Sequence, residues 1–452
     1  IQAAKNDVYG FVPGATPGFQ LGLYSNYYTG IAPRIGFSYS PFDDASTVIR
    51  GSYGIFYDFP AMSSWITGTT TNGGANYAQN NPAGPDAAAI FVQKNVQWQV
   101  GINPFTGANA PQVGAYGVNQ NFKMPRASVV SFNVEQQLSK TTLFTVGYVG
   151  TFGQHLQVLY DINQPVASGT STTNPRPYLQ TTFPNGNPTF AGQPLLAINQ
   201  LNFAAASNFH SLQATVRQAA WRGVQTTLNY TWSKSMDDVS SNTTPMNSYN
   251  LHQDYGPSTF DNRHLLNGFV YYTVPQLGHF MPRLTKGFQL NAIYTYSSGI
   301  PISPQYSTNI DGTGELKDRP NYTGVSPYVG GAQLYTSTSS GRQYRWLSNA
   351  GGSFVAPAPG TYGNERRDAF TGPNFRTIDF SLFKHTPVTE KVMSEFRVEI
   401  FNIFNFNNFA NPAVNPSSST FGLITNTRNG AAAPGIGYGE PFNIQFALKL
   451  SF

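Results

Sequence analysis

Glu395, Arg397 and Glu399 stand two residues apart, and this spacing is the sharpest chemical signal in the chain of 452 residues. In an extended strand such spacing puts all three side chains on one face. There they could line a solute path, contact a plug, or form a cross-strand charge ladder. Elsewhere the residues able to do covalent or metal chemistry are dispersed. His155, His210, His252, His264, His279 and His385 fall in no HExxH or other metal-ligand spacing. Gly312 and Gly314 precede neither a helix nor the Lys-Ser/Thr of a phosphate cradle. The segment from Asn309 to Glu315 sets oxygen side chains at alternate positions, as calcium loops do. It lacks the full ligand series and terminal Glu of an EF-hand, and is read as a solvated turn. Asp237–Asp238 and the Glu365-Arg366-Arg367-Asp368 cluster are likewise read as solvated loop charge, with ligand contact as the alternative. No nucleophile–base–orienter set emerges, so the expectation is a chain with no catalytic residues, no cofactor and no resident metal.

The elements that must position these side chains follow from period-two alternation. Val392–Ile400 places Phe396, Val398 and Ile400 opposite the three charges. Three charges in a row are costly in a dry core unless paired, and ordinary against a wet lumen. The last segment, Pro441–Phe452, repeats the pattern, with Phe442, Ile444, Phe446, Leu448, Leu450 and Phe452 on one face. Asn443, Gln445, Ala447, Lys449 and Ser451 take the other, and the length suits a tilted membrane strand of about 9–11 residues. Nine further strands are expected at Pro33–Ser40, Thr47–Tyr57, Arg126–Leu138, Thr141–Thr151, His210–Ala219, Val224–Ser233, Phe260–Val274, Phe288–Tyr296 and Arg376–Lys384, making eleven in all. Arg50 and Arg217 fall on the polar faces of theirs.

Connections alternate in length. Short ones lie at Pro41–Ser46, Ser139–Lys140, Ala220–Gly223 and His385–Lys391, with a slightly longer one at Pro275–Gly287. Long polar stretches lie between them, at Phe59–Pro125, Phe152–Phe209, Lys234–Thr259, Ser297–Phe375 and Phe401–Glu440. Outer-membrane barrels pair short periplasmic turns with long extracellular loops, whereas a β-sandwich or adhesin would turn evenly and briefly. The fold class expected is all-β, an antiparallel transmembrane β-barrel, partial or complete, over one domain from 1 to 452. Composition agrees. Only 10% of residues are charged, against about 25% in soluble domains. No apolar run approaches the roughly 18 residues of a membrane helix. The 14% aromatic content accompanies this, and the absence of Cys fits an oxidising compartment. The net charge of +5 is spread without a basic cluster, which argues against a nucleic-acid partner. The chain starts at Ile1 without a secretion signal and is expected to be a processed or truncated piece.

Six segments in order carry a family resemblance: Pro33–Asp58, Val146–Leu156, Phe209–Gln218, Asn229–Asp238, Phe260–Pro275 and the FNIFNFNNF run Phe401–Phe409. Together they resemble the carboxy-terminal half of TonB-dependent receptors, closest to the Oar-like group, over nearly all the chain from about Pro33. The resemblance implies a barrel of 22 strands around a plug, importing a bulky solute such as a siderophore, oligosaccharide or peptide. Energy would come through TonB. The plug and TonB box are not in this sequence, and eleven is an odd strand number, so the expectation is the later part of a barrel. It also implies that the terminal aromatic strand, Leu448, Leu450 and Phe452, signals to the barrel-assembly machinery.

Tyr53, Tyr57, Tyr230, Trp232, Tyr294 and Tyr296 cluster toward the loop-side strand ends. They are read as an aromatic girdle in the lipid bilayer, with plain β-propensity as the alternative. Loop aromatics (Tyr77, Tyr116, Tyr249, Tyr306, Tyr322, Tyr328) are candidates for stacking on a solute. The functional expectation is an outer-membrane receptor and transporter in a Gram-negative cell. A passive porin-like channel and a surface adhesion protein remain the other two readings.

Overall fold

The computed structural model describes residues 27–43, 46–59, 113–119, 123–169, 171, 174–177, 195–240, 244–276, 281, 285–337, 341–428 and 441–452. In chain order the strands are β1 (Arg34–Tyr39), β2 (Thr47–Tyr57), β3 (Val113–Val118), β4 (Arg126–Ser139), β5 (Thr142–Asp161), β6 (Leu195–Trp221), β7 (Val224–Asp237), β8 (Gly256–Pro257), β9 (His264–Thr273) and β10 (Phe288–Ser297). They continue with β11 (Pro301–Ile302), β12 (Asn321–Tyr322), β13 (Tyr328–Ser337), β14 (Gly341–Leu347), β15 (Phe354–Val355), β16 (Phe370–Thr371), β17 (Phe375–Pro387), β18 (Met393–Phe401), β19 (Leu423–Ile424) and β20 (Asn443–Ser451).

Eleven of these form one antiparallel wall in the order β1-β2-β4-β5-β6-β7-β9-β10-β17-β18-β20. Each of the eleven expected strands is a member. Among the described residues β1 pairs only with β2 and β20 only with β18, so the wall has two edges and does not close on itself.

Register explains why the alternation in single strands adds up to a surface. Residues paired across antiparallel strands share a face. The row Phe37–Gly51–Phe132–Tyr148–Leu212–Trp232 runs across six strands on the apolar face. The row Ile444–Ile400–Phe380–Ala292–Val270 continues that face to the other edge. The opposite face is a polar ladder. Thr215 donates to Asn229 at 3.0 Å, and Asn229 donates to Asn267 at 3.1 Å. Farther along, Gln289 donates to Asn291 at 2.9 Å and Asn291 to Ser381 at 3.0 Å. A one-residue slip would turn every one of these groups toward lipid.

The β6–β7 link is a two-residue hairpin. Arg222 (φ 51°) and Gly223 (φ 83°) both take positive φ, the conformation that matches the twist of the flanking strands.

Two strands are longer than expected. β5 has 20 residues and β6 has 27, and they stay paired from Thr142↔Gln218 to Asp161↔Asn199. About ten residues suffice to cross a bilayer, so the surplus projects beyond the membrane on the long-loop side. Two register shifts at Gly153–Gln157, with His155 at φ 55°, break the alternation there and hide the extension from period-two reading. β3, which was not expected, adds in parallel to the projecting half of β6. Leu201 and Phe203 are buried in this projection against Tyr27, Met124 and Leu159.

The long connections also differ from expectation. Their described parts form a packed cap. β11 pairs β16, β12 pairs β15, and β13, β14 and β19 form a third small sheet. Ile302, Leu347, Phe354, Phe370 and Phe421 bury together beneath them, with Tyr322, Trp346 and Val414 against the cluster. Short polar stretches carry too few residues per strand to show a period, and only their assembly reveals the core.

Candidate functional site

Asp237 ends β7, and Ser240 turns back to donate to both of its carboxylate oxygens at 2.9 Å. Arg367, from the 298–374 connection, joins the same group. It ion-pairs with Asp237, donates through Nη2 to the Asp237 carbonyl at 2.6 Å and through Nε to the Asp254 carbonyl at 2.6 Å, and reaches Ser240 Oγ at 3.0 Å. The two loop clusters read as separate solvated charges therefore meet each other, and Asp237 (4% exposed), Glu365 (4%) and Asp368 are buried, while Arg366 stays exposed. This corrects the solvated reading for all but Arg366.

Arg319 makes the second tie. It pairs with Asp254, and donates to the Gln253 carbonyl at 2.8 Å and the Glu365 carbonyl at 3.0 Å. Lys317 Nζ donates to the Thr244 carbonyl at 2.6 Å, and the Thr244 hydroxyl donates to Glu315 at 2.9 Å. A third arginine, Arg176, bonds Asp161 at the end of β5 at 2.7 Å and the Asn163 carbonyl at 2.9 Å. Nearby, Gln164 bonds Met246 and Ser248 of the next connection. In the FNIFNFNNF run, Asn402 both accepts from the Phe406 N–H at 2.9 Å and donates to its carbonyl at 3.0 Å, closing the last connection over the wall.

Burial dominates the electrostatics here. It pushes Glu365 up to about 9, opposed by Arg319 and reinforced by Asp368. It pushes Asp368 up to about 6, opposed by Arg367. Lys317 is held below the ordinary lysine range by burial, against the pull of Glu315 and Asp254. Glu365 is thus a neutral acid near pH 7, consistent with neither of its carboxyl oxygens having a hydrogen-bond partner among the described residues.

Between these ties lies a cavity of about 450 Å³. Its polar wall carries Asp238, Lys317, Arg319, Arg367 and Asp368, and its apolar wall carries Met246, Ile300, Ile302 and Val414. Ser303 also lines it, with a buried hydroxyl that has no partner among the described residues. A pocket with convergent charges and an apolar side suits non-covalent capture of a polar solute. Among the described residues no three His, Asp or Glu side chains lie together as metal ligands.

The other expected site residues occupy the wall. Arg50 ion-pairs with Glu135 on the polar face. Glu395 pairs with Arg397, lies 3.4 Å from His385 Nδ1, and sits opposite Lys449 in register. Glu399 sits between Ser381 and Gln445, and Arg217 between Leu143 and Thr227, on that same face. Tyr53, Tyr57, Tyr230, Trp232, Tyr294 and Tyr296 lie on the apolar face, where Tyr230 and Tyr296 flank Leu266 in one row. The Tyr230 hydroxyl bonds His264 Nδ1 at 2.8 Å, a polar anchor that sequence reading missed. Leu448 pairs with Phe396, Leu450 pairs with Ser394, and the Phe452 side chain is exposed at the terminus.

Of the loop aromatics, Tyr306 is buried, Tyr322 packs on Phe354 and Phe370, and Tyr328 bonds Thr371; these three hold the cap. Tyr249 is half exposed, with its hydroxyl on the Gln164 carbonyl. Tyr77 and the Tyr116 side chain lie outside the described residues.

A family model described as an outer membrane beta barrel domain matches residues 3–445. The chain belongs to this family. Its place is the cell outer membrane, with the apolar face of the wall toward lipid, the short turns periplasmic and the cap extracellular. No curated protein matches the sequence. Among solved structures the chain is similar to the outer membrane transporter YddB from Escherichia coli, with 10% identity over 93% of this chain and 40% of that one and a TM-score of 0.47. It is also similar to the ferric-catecholate import receptor Fiu from E. coli K12 (11% identity, 92% and 34% covered, TM-score 0.39). The siderophore receptor PiuA from Acinetobacter baumannii is a third (10% identity, 92% and 35% covered, TM-score 0.41). The chain spans two fifths or less of the length of these structures.

Proposed function

We propose that this chain is the wall and extracellular cap of a receptor and transporter for a bulky solute. It would be coupled to TonB through an amino-terminal plug region outside this sequence, as the Oar-like resemblance implies. The observation that carries the reading is the 450 Å³ cavity, which is built by residues of several long connections and tied together by Arg319 and Arg367. A passive pore has no need of a braced, half-apolar, half-charged pocket in its outer loops; a receptor does. The solute docks in the cap, and displacement of the plug admits it, with no covalent step.

Two measurements on the full-length protein test this. In planar bilayers it should show no steady open-channel current, and such a current would sink the plugged transporter in favour of a porin. In cells, uptake of the solute that supports growth should stop when a protonophore collapses the proton gradient. Uptake that persists, or a deletion strain that loses only surface attachment, would overturn the energised reading.

A further inference from the structure

We propose that Asp311 and Asp318 are the carboxylate ligands of a divalent-cation site, suited to calcium, within the turn from Asn309 to Asp318 of the extracellular cap. This turn was expected to be solvated, and it is the opposite: Asp311 is 0% and Asp318 2% exposed. Tyr306 and Asp318 bridge its base, the Tyr306 N–H donating to the Asp318 carbonyl at 2.8 Å. Gly312 (φ 78°) and Gly314 (φ 84°) supply the left-handed conformations that fold it back.

One oxygen of each carboxylate is committed to the turn. Asp318 Oδ2 accepts the N–H groups of Ile310 and Asp311, and Asp311 Oδ1 accepts that of Thr313 at 2.8 Å. The other oxygens, Asp311 Oδ2 and Asp318 Oδ1, are buried without a hydrogen-bond partner among the described residues. Burial raises the proton affinity of Asp311, opposed by the Thr313 N–H and hydroxyl, and Asp318 raises it further because the two carboxyl groups lie within hydrogen-bond reach of each other.

Two facing carboxyl groups need either a shared proton or a counter-charge, because an unpaired buried charge is severely penalised. The protein does not supply one among the described residues. Arg176 is paired with Asp161, Arg319 with Asp254, and Lys317 points to the Thr244 carbonyl. Oxygen groups of the turn stand beside the pair: the Thr313 hydroxyl, which bonds Asp311, and the Asn309 amide oxygen, which accepts the Gly314 N–H, while the Tyr362 phenol is raised by burial and by both carboxylates. Two carboxylates with a neighbouring hydroxyl fit calcium, which accepts oxygen ligands at relaxed geometry. Magnesium retains several waters, which a dry turn excludes. Zinc would call for His or Cys. Calcium takes carbonyls and hydroxyls beside its carboxylates, so two acids suffice.

The test uses the full-length protein extracted in detergent, stripped with EDTA and titrated with calcium chloride, with terbium luminescence as a second readout. One saturable site is expected, with Kd on the order of 10⁻⁴–10⁻³ M as in extracellular calcium modules. Magnesium should compete at least tenfold less well. Asp311→Asn and Asp318→Asn should each weaken calcium at least tenfold. Asn at 311 keeps the Thr313 contact, so that variant should still show the heat-dependent SDS mobility of the folded barrel. No saturable calcium binding up to about 10 mM, an order above that range, would overturn the proposal. So would undiminished affinity in both variants, or equal affinity for magnesium. A stripped protein that ignores calcium and loosens its cap only as pH rises through about 7 would show that a shared proton holds the pair, and would also overturn it.

Discussion

Arg367 and Asp237 are 130 residues apart in sequence and form one buried ion pair, in which the guanidinium also holds the Asp237 carbonyl at 2.6 Å. The pair fastens the longest described connection to the end of β7. Removing one partner of a buried pair strands the other charge, at a cost of about 3–5 kcal/mol. Arg367→Ala should therefore loosen the cap and leave the wall intact. Hydrogen exchange should rise in the 238–263 and 298–374 connections, while wall amides stay protected and SDS resistance persists. Arg367→Lys should fail to restore protection, because an ammonium cannot reproduce the fork of donors. Protection unchanged in Arg367→Ala would show that the pair does not brace the cap.

Glu365 gives the cap a pH dependence with a definite sign. Its pKa in the folded cap is about 9, that of Asp368 is about 6, and unfolded carboxyls titrate near 4. The folded cap binds these protons more tightly. The stability they contribute is fully present below about pH 4 and is lost as pH rises, through about 6 for Asp368 and about 9 for Glu365. For Glu365 the loss between pH 7 and pH 10 is about 2.7 kcal/mol, most of it complete by pH 9. Glu365→Gln, which stays neutral, should abolish this alkaline part. Thermal unfolding of the full-length protein at pH 7 and 10, followed through near-ultraviolet signals of the cap, checks the difference between the two proteins.

Two sequence neighbours on β20 should behave oppositely. Phe446 lies on the lipid face against Val398, whereas Gln445 lies on the polar face against Glu399. Phe446→Arg should cost about 2–4 kcal/mol near the bilayer midplane, while Gln445→Arg should be neutral or stabilising through Glu399. Denaturant unfolding from lipid vesicles measures both, and equal costs would contradict the assignment of faces.

Gly51 is required by its neighbour. A Cβ there would collide with the Phe37 ring, which lies over the backbone of β2. Gly51→Val should destabilise the edge pairing of β1 and β2 by about 1–3 kcal/mol. Adding Phe37→Ala should recover part of it. Hydrogen exchange of Arg34–Tyr39 would show no recovery if the clash lies elsewhere.

Deleting Phe452 should reduce insertion into the outer membrane without changing synthesis. The Phe452 side chain packs little in the folded state, being 94% exposed, so a defect would belong to assembly rather than to final stability. Membrane fractionation reads the outcome, and normal insertion would remove Phe452 from the assembly signal.

Every strand of the wall was legible in the chain itself, because a membrane wall writes its two solvents directly into alternate residues: Phe446 beside Gln445, Val398 beside Glu399. The side of the long loops was equally local, a matter of connection length. The projecting ends of β5 and β6 were not, since register shifts at Gly153–Gln157 break the period and burial on both sides removes the contrast. The cap was least legible of all. Asp237, Glu365 and Arg367 read as loop charge, and Asp254 and Arg319 did not stand out at all, because a charged residue in a polar stretch carries no mark of its partner. Only the tertiary structure, by stacking separate connections on one apolar cluster, removes water from those groups. Once dry, charges must pair, neutralise or take an ion, and that decision belongs to the fold alone.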